Sequence, residues 1–157
     1  MALTVSLAMI LSFVESQIPA FVAIPGVKMG LANIAVVFAL YKFGWKEAAV
    51  ISLIRVFLVS LLFGNAAALM YSAAGAILSL AGMIVMKRTG LFSCTAVSVA
   101  GGVLHNAGQI LMACLVLETA RLTYYLPILI ISGTLAGIVI GVVSAILIDR
   151  IQIDTGL

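Results

Sequence analysis

The chain has 157 residues, of which 65% are apolar and 8% charged, with a net charge of +3. Soluble domains carry roughly 25% charged residues, so this composition excludes a water-soluble fold and points to a single transmembrane domain over residues 1–157. The small positive balance speaks for orientation in a bilayer with membrane lipid around it. With no basic run interleaved with aromatics, nucleic acid is not expected as a partner.

Six apolar segments follow one another at roughly 2–18, 31–43, 47–63, 66–86, 93–117 and 124–148. They are continuous rather than alternating, which predicts an all-α protein, a six-helix transmembrane bundle, and not a β-barrel. A span needs about 20 residues, with about 17 as the lower limit. The second segment is shorter than that and is expected to be a partial span continued by the loop before it.

The first segment lacks a basic start and reads as a retained helix rather than a signal peptide. Thr4, Ala8, Ser12 and Ser16 form a ladder of small residues at four-residue spacing. Such ladders let helix backbones approach closely. Thr4, Ala8 and Ser12 are expected to dock a partner membrane protein, because a terminal helix is easily placed at the edge of a bundle. Packing within the chain is the other reading. Glu15 is expected near the outer end of this helix.

Between the first two segments lies PGVKMGLAN, residues 25–33. Pro25-Gly26 signals a turn, and Lys28 and Asn33 bring polar groups to the start of an apolar helix. The expectation is a loop that folds over a solute site. Asn33 also reads as a helix N-cap after a glycine turn.

Arg55 stands in the middle of the third segment, ISLIRVFLVS. A charge at such a position costs about 2.5–3.5 kcal/mol on insertion, so it calls for a ligand or for Glu15 as a counter-ion. The fourth segment carries a short ladder, Gly75 and Ser79. The fifth holds GGVLHNAGQ, in which His105 and Gln109 are four apart and share a helix face, and Asn106 and Gln109 are three apart. Cys94 and Cys114 lie in this same segment, about 30 Å apart if it is one helix, too far for a disulfide. Tyr124 and Tyr125 followed by Pro127 read as an interfacial belt and a helix start. The last segment carries Gly133, Gly137, Gly141 and Ala145, again four apart.

Lys42, Lys46, Lys87, Arg88 and Arg150 fall in connections on one side, and only Lys28 and Arg121 on the other. The side richer in Lys and Arg faces the cytoplasm, which predicts a multi-pass protein of the cell membrane with both termini cytoplasmic. Most polar groups then lie at mid-depth or toward the outside, as a pocket open outward would require. Lys28, Asn33, Arg55, His105, Asn106 and Gln109 are the candidate substrate-binding residues. No catalytic residue is assigned. The chain has no P-loop, GxSxG or HExxH motif and no metal-ligand spacing. Diphosphate chemistry usually draws on aspartate clusters that hold Mg²⁺, and the only aspartates are Asp149 and Asp154. The chain is therefore expected not to be an enzyme, and no cofactor is assigned.

PGVKMGLAN, Arg55, SAAGAILS at 72–79, GGVLHNAGQ and YYLP at 124–127 together resemble the Gx transporter family, also called heptaprenyl diphosphate synthase component I, over nearly the whole chain. That family is similar to the S components of energy-coupling factor (ECF) transporters. The resemblance implies a six-helix substrate-binding subunit for a small micronutrient-type solute, taken from the outer side with the first loop as gate. It also implies docking through small residues of the first helix, here Ala8 and Ser12, on a transmembrane T component served by cytoplasmic ATPases. Flavin, quinone-precursor and isoprenoid-related solutes are the classes implied. The alternative is an accessory subunit of a flavin or quinone electron-transfer pathway or of prenyl diphosphate synthesis.

Overall fold

A computed structural model describes residues 2–17, 30–63 and 65–151. The described residues form an all-α bundle: α1 (Ala2–Gln17), α2 (Asn33–Lys42), α3 (Trp45–Phe63), α4 (Ala66–Thr89), α5 (Cys94–Val116) and α6 (Leu126–Arg150), with a short 3-10 helix (Ala120–Tyr125) leading into α6.

The helix ends follow local chemistry. Asn65 accepts a hydrogen bond from the Ala68 amide at 2.8 Å and opens α4. Lys87 and Arg88 fill its last turn, and Gly90 at φ +69° closes it in the left-handed conformation. The sequence reading stopped this helix at its last apolar residue, Met86; the basic turn carries it on to Thr89. Ser93 caps α5 through the Ala96 amide at 3.2 Å. Pro127 sits in the first turn of α6, where its missing N–H costs nothing. Asn33 is the first residue of α2 and not its cap; the cap position is Ala32, which offers no side-chain acceptor.

Among the described residues, three stretches are long and apolar enough to cross a membrane: Ala66–Thr89, Cys94–Val116 and Ala120–Arg150. α3 has the length, at 19 residues, but carries Lys46, Glu47 and Arg55. α1 has 16 residues, just under the spanning limit.

The second helix explains its own shortness. It has 10 residues, about 15 Å, and every residue from Ile34 to Leu40 is buried. A helix apolar on all sides belongs inside a bundle, and α1, α3 and α6 pack around it. Val36, Val37 and Leu40 join Ile51 of α3 and Val97 of α5 as fully buried side chains. Large apolar residues on the outer faces, such as Leu61, Ile77, Leu111 and Leu135, are exposed, as a lipid-facing surface would be.

α5 packs along both α4 and α6 through small residues. A Cβ on Gly137 would stand 2.5 Å from the Val99 Cα, one on Gly141 2.6 Å from the Thr95 Cα, and one on Gly108 2.8 Å from the Ala74 carbonyl oxygen. Only glycine permits backbones this close.

The small-residue ladder of α1 also turns inward. Ala8 is fully buried, Thr4 and Ser12 nearly so, and the Ser12 hydroxyl donates to the Ala8 carbonyl at 2.8 Å. Leu3, Leu7, Ile10, Phe13 and Val14 form the exposed side of this helix instead. The expected docking residues are therefore covered by the chain's own helices. The four-residue spacing reports a close contact without saying whose backbone makes it.

Candidate solute-binding site

The polar groups gather where α2 begins. Gly30, at φ +72°, is the residue whose left-handed backbone lets the chain turn into α2; the Asn33 amide donates to its carbonyl at 2.7 Å. The Gly30 amide in turn donates to Glu15 Oε1, from the last turn of α1, at 2.5 Å. A Cβ on Gly30 would lie 3.4 Å from the Asn33 side-chain amide and 3.4 Å from Ile140 Cδ1.

Ile140 fixes the depth of this cluster. It lies fourteen residues into α6, about 21 Å along the helix axis. Gly30 beside it is therefore well inside the bundle, and so is the carboxylate of Glu15 that holds it. Glu15 does stand near the end of α1, and this contact places that end inside the bundle. α2 starts at mid-depth and runs out to Lys42, which is why ten residues suffice.

Arg55 comes from the middle of α3, which packs against α1, the helix that carries Glu15. The Arg55 Nε is buried and has no hydrogen-bond partner among the described residues. A guanidinium presents five donors in a rigid fork, so a buried face of it left unbonded at mid-depth is a costly feature.

The α5 residues divide between two faces. His105 and Gln109 face α4: a Cβ on Gly75 would meet the His105 carbonyl oxygen at 2.7 Å, Gln109 Cγ at 2.9 Å and His105 Cε1 at 3.1 Å. Asn106 faces α6, where its Nδ2 donates to the Leu129 carbonyl at 2.8 Å, buried between the two helices. The shared face of His105 and Gln109 is as expected from their spacing. Asn106, one residue on, is turned away by about 100° and spends its amide on a helix–helix tie. Lys28 lies outside the described residues.

The lysine-rich end of the bundle is organised separately. Lys87 at the end of α4 donates to the Leu40 carbonyl at 2.5 Å, closing the end of α2, and its ammonium stands 4.9 Å from the centre of the Tyr41 ring. A Cβ on Gly141 would meet the Thr95 Cα, so the start of α5 and the later turns of α6 meet toward this same end. Both cysteines are free thiols. A shallow groove between α3 and α4, lined by Phe57, Ser60, Leu61, Asn65, Ala66 and Leu69, contains none of the expected site residues.

The family model for heptaprenyl diphosphate synthase component I matches residues 4–147. The chain belongs to that family. No curated protein and no solved structure matches it. The match takes in all six helices, so the component I family spans the whole arrangement just described, and with its three long apolar helices this member is a membrane protein. Two groups at its centre were absent from the expected substrate set: Glu15 and the Gly30 amide. A carboxylate inside an apolar helix was signal enough for Glu15. The amide carries no signal in sequence, since only the fold brings it to α1.

Proposed function

We propose that this chain is a multi-pass substrate-binding subunit of the cell membrane, of the S-component type, that takes up a small micronutrient-type solute from the outer side. One observation carries the reading: a half-length helix, α2, begins at mid-depth beside a carboxylate, and the adjoining α3 carries a guanidinium whose Nε is buried without a hydrogen bond among the described residues. Broken or partial helices whose N-termini open at mid-membrane next to charged groups are how solute transporters build their sites. Backbone that is not helical at this depth is tolerated where protein covers it or where it lines a cavity.

In this reading Asn33 and Arg55 contact the solute, with Lys28 of the preceding loop as gate and His105 and Gln109 completing the wall. The lysine-rich end, where Lys87 closes α2, faces the cytoplasm together with both termini. The chain binds and does not catalyse. Energy for uptake would come from partner chains, a transmembrane T component and cytoplasmic ATPases. Docking would use the exposed apolar side of α1 in place of its buried ladder. Flavins, quinone precursors and isoprenoid-related solutes remain the classes of cargo.

The test is native mass spectrometry of the chain in gently extracted form, wild type against Arg55→Gln. A small molecule held one-to-one by the wild type and bound about 30-fold more weakly by the variant is expected, the cost of removing one partner from a buried polar contact. The variant leaves the Glu15 carboxylate without its counter-charge, so a loss of stability is expected as well, and retention is compared between the folded proteins. Equal retention by both proteins would defeat the reading.

A second reading is favoured by the description of the family, which names it as a component of heptaprenyl diphosphate synthase: an accessory membrane subunit of prenyl diphosphate synthesis or of flavin and quinone electron transfer. The Asn106 tie suits it, since polar groups there serve packing. Extraction of an empty chain together with a synthase or redox partner would favour it over uptake.

A further inference from the structure

The solute-binding reading leaves open what Arg55 would recognise, and the structure offers a guide in the group already there. Glu15 is a carboxylate brought into an apolar bundle, where an ionised side chain is costly. It takes the Gly30 N–H at the entrance to α2, and its helix, α1, packs against α3, the helix of Arg55. Arg55 nonetheless keeps its Nε unbonded among the described residues. The arrangement is an anion seat only part used: one amide donor is taken, and the guanidinium Nε is left over.

We propose that Glu15 is a built-in stand-in for the solute's own head group, and that the site takes a solute bearing a single carboxylate, which displaces Glu15 from Gly30 and engages Arg55. This rests on the solute-binding reading and names its substrate class. The charge count favours a monocarboxylate over a diphosphate. A diphosphate brings two or three negative charges to a place where the described residues supply one guanidinium and already hold one carboxylate, and like charges held close disfavour each other. A carboxylate matches the guanidinium fork edge to edge. The tethered Glu15 competes at high effective concentration, so it keeps the empty seat satisfied and sets a threshold that weak anions do not pass.

The experiment measures binding of benzoate, with inorganic pyrophosphate and benzyl alcohol as comparisons, to the full chain in lipid nanodiscs by calorimetry. Glu15→Gln should bind benzoate about tenfold more tightly than the wild type. The double variant Glu15→Gln with Arg55→Gln should lose that gain, and neither pyrophosphate nor benzyl alcohol should reproduce it. Equal benzoate affinity in wild type and Glu15→Gln, or a stronger response to pyrophosphate, overturns the proposal. Should Glu15→Gln not assemble, Glu15→Asp decides in its place: its shorter carboxylate is drawn off the Gly30 amide and should give a smaller gain of the same sign, and no gain overturns the proposal. The two readings can fail separately. A retained solute without an acidic group keeps uptake and removes the carboxylate seat, whereas a benzoate gain in a chain that never carries a solute keeps the seat and removes uptake.

Discussion

The two halves of the bundle use the same apolar alphabet for opposite ends. α4, α5 and α6 meet backbone to backbone along glycine seams, and Asn106, buried between α5 and α6, is hydrogen-bonded across them. α1, α2 and α3 bring in a carboxylate and a guanidinium whose Nε lacks a hydrogen bond among the described residues. In a bilayer the hydrophobic effect does not hold helices together; close packing does. The first half therefore has what stability requires, and the second gives some of it up. A region that keeps charge at mid-depth at the expense of packing is where binding is expected, and the tightly seamed half is the frame against which it can change.

The sharpest way to break this contrast is to force the seam open. A Cβ on Gly133 would stand 2.9 Å from both Asn106 Nδ2 and the Gly102 carbonyl oxygen. The carbonyl belongs to a helix backbone and has nowhere to go. Gly133→Val is expected to destabilise the bundle by about 3 kcal/mol, read as earlier unfolding on titration with a denaturing detergent. A loss below about 1 kcal/mol would mean that α5 and α6 are not the rigid frame.

A smaller effect is expected at the link between the halves. Lys87 on α4 holds the end of α2 through the Leu40 carbonyl and lies over the Tyr41 ring. Lys87→Met keeps the length of the side chain and removes both contacts, which should cost about 1 kcal/mol in the same titration. Hydrogen exchange should locate the loosening at the end of α2, with the α5–α6 seam unchanged. Loosening spread evenly over the bundle would argue that the two halves are one unit.

Much of this was legible in the sequence, and what was not has a common cause. The helices could be read because their apolar runs are continuous and Pro127 marks the start of the last; the caps at Asn65, Gly90 and Ser93 appear only in the structure. The shared face of His105 and Gln109 could be read from spacing alone. The inward turn of Thr4, Ala8 and Ser12 could not, since a ladder facing its own chain and one facing a partner have the same spacing. Nor could the depth of Glu15. Counting along α1 places it near a helix end, and only the contact of Gly30 with Ile140 shows that this end is inside the bundle. Sequence gives position along an element; these questions concern which element stands opposite.

Asn106 is the smallest and most discriminating case, because it was expected in the pocket and stands in the seam. Its side-chain amide is committed to the Leu129 carbonyl, and such interhelical bonds average about 0.6 kcal/mol in membrane proteins. Asn106→Ala should therefore cost about that much stability and leave solute retention unchanged once folding is allowed for. Arg55→Gln should lower retention even in the folded fraction, with a stability cost from leaving Glu15 without its counter-charge. Measuring both quantities on both variants separates frame from site within one bundle. If Asn106→Ala lowers retention as Arg55→Gln does, Asn106 belongs to the pocket with His105 and Gln109, and the α5–α6 seam is part of the site rather than its frame.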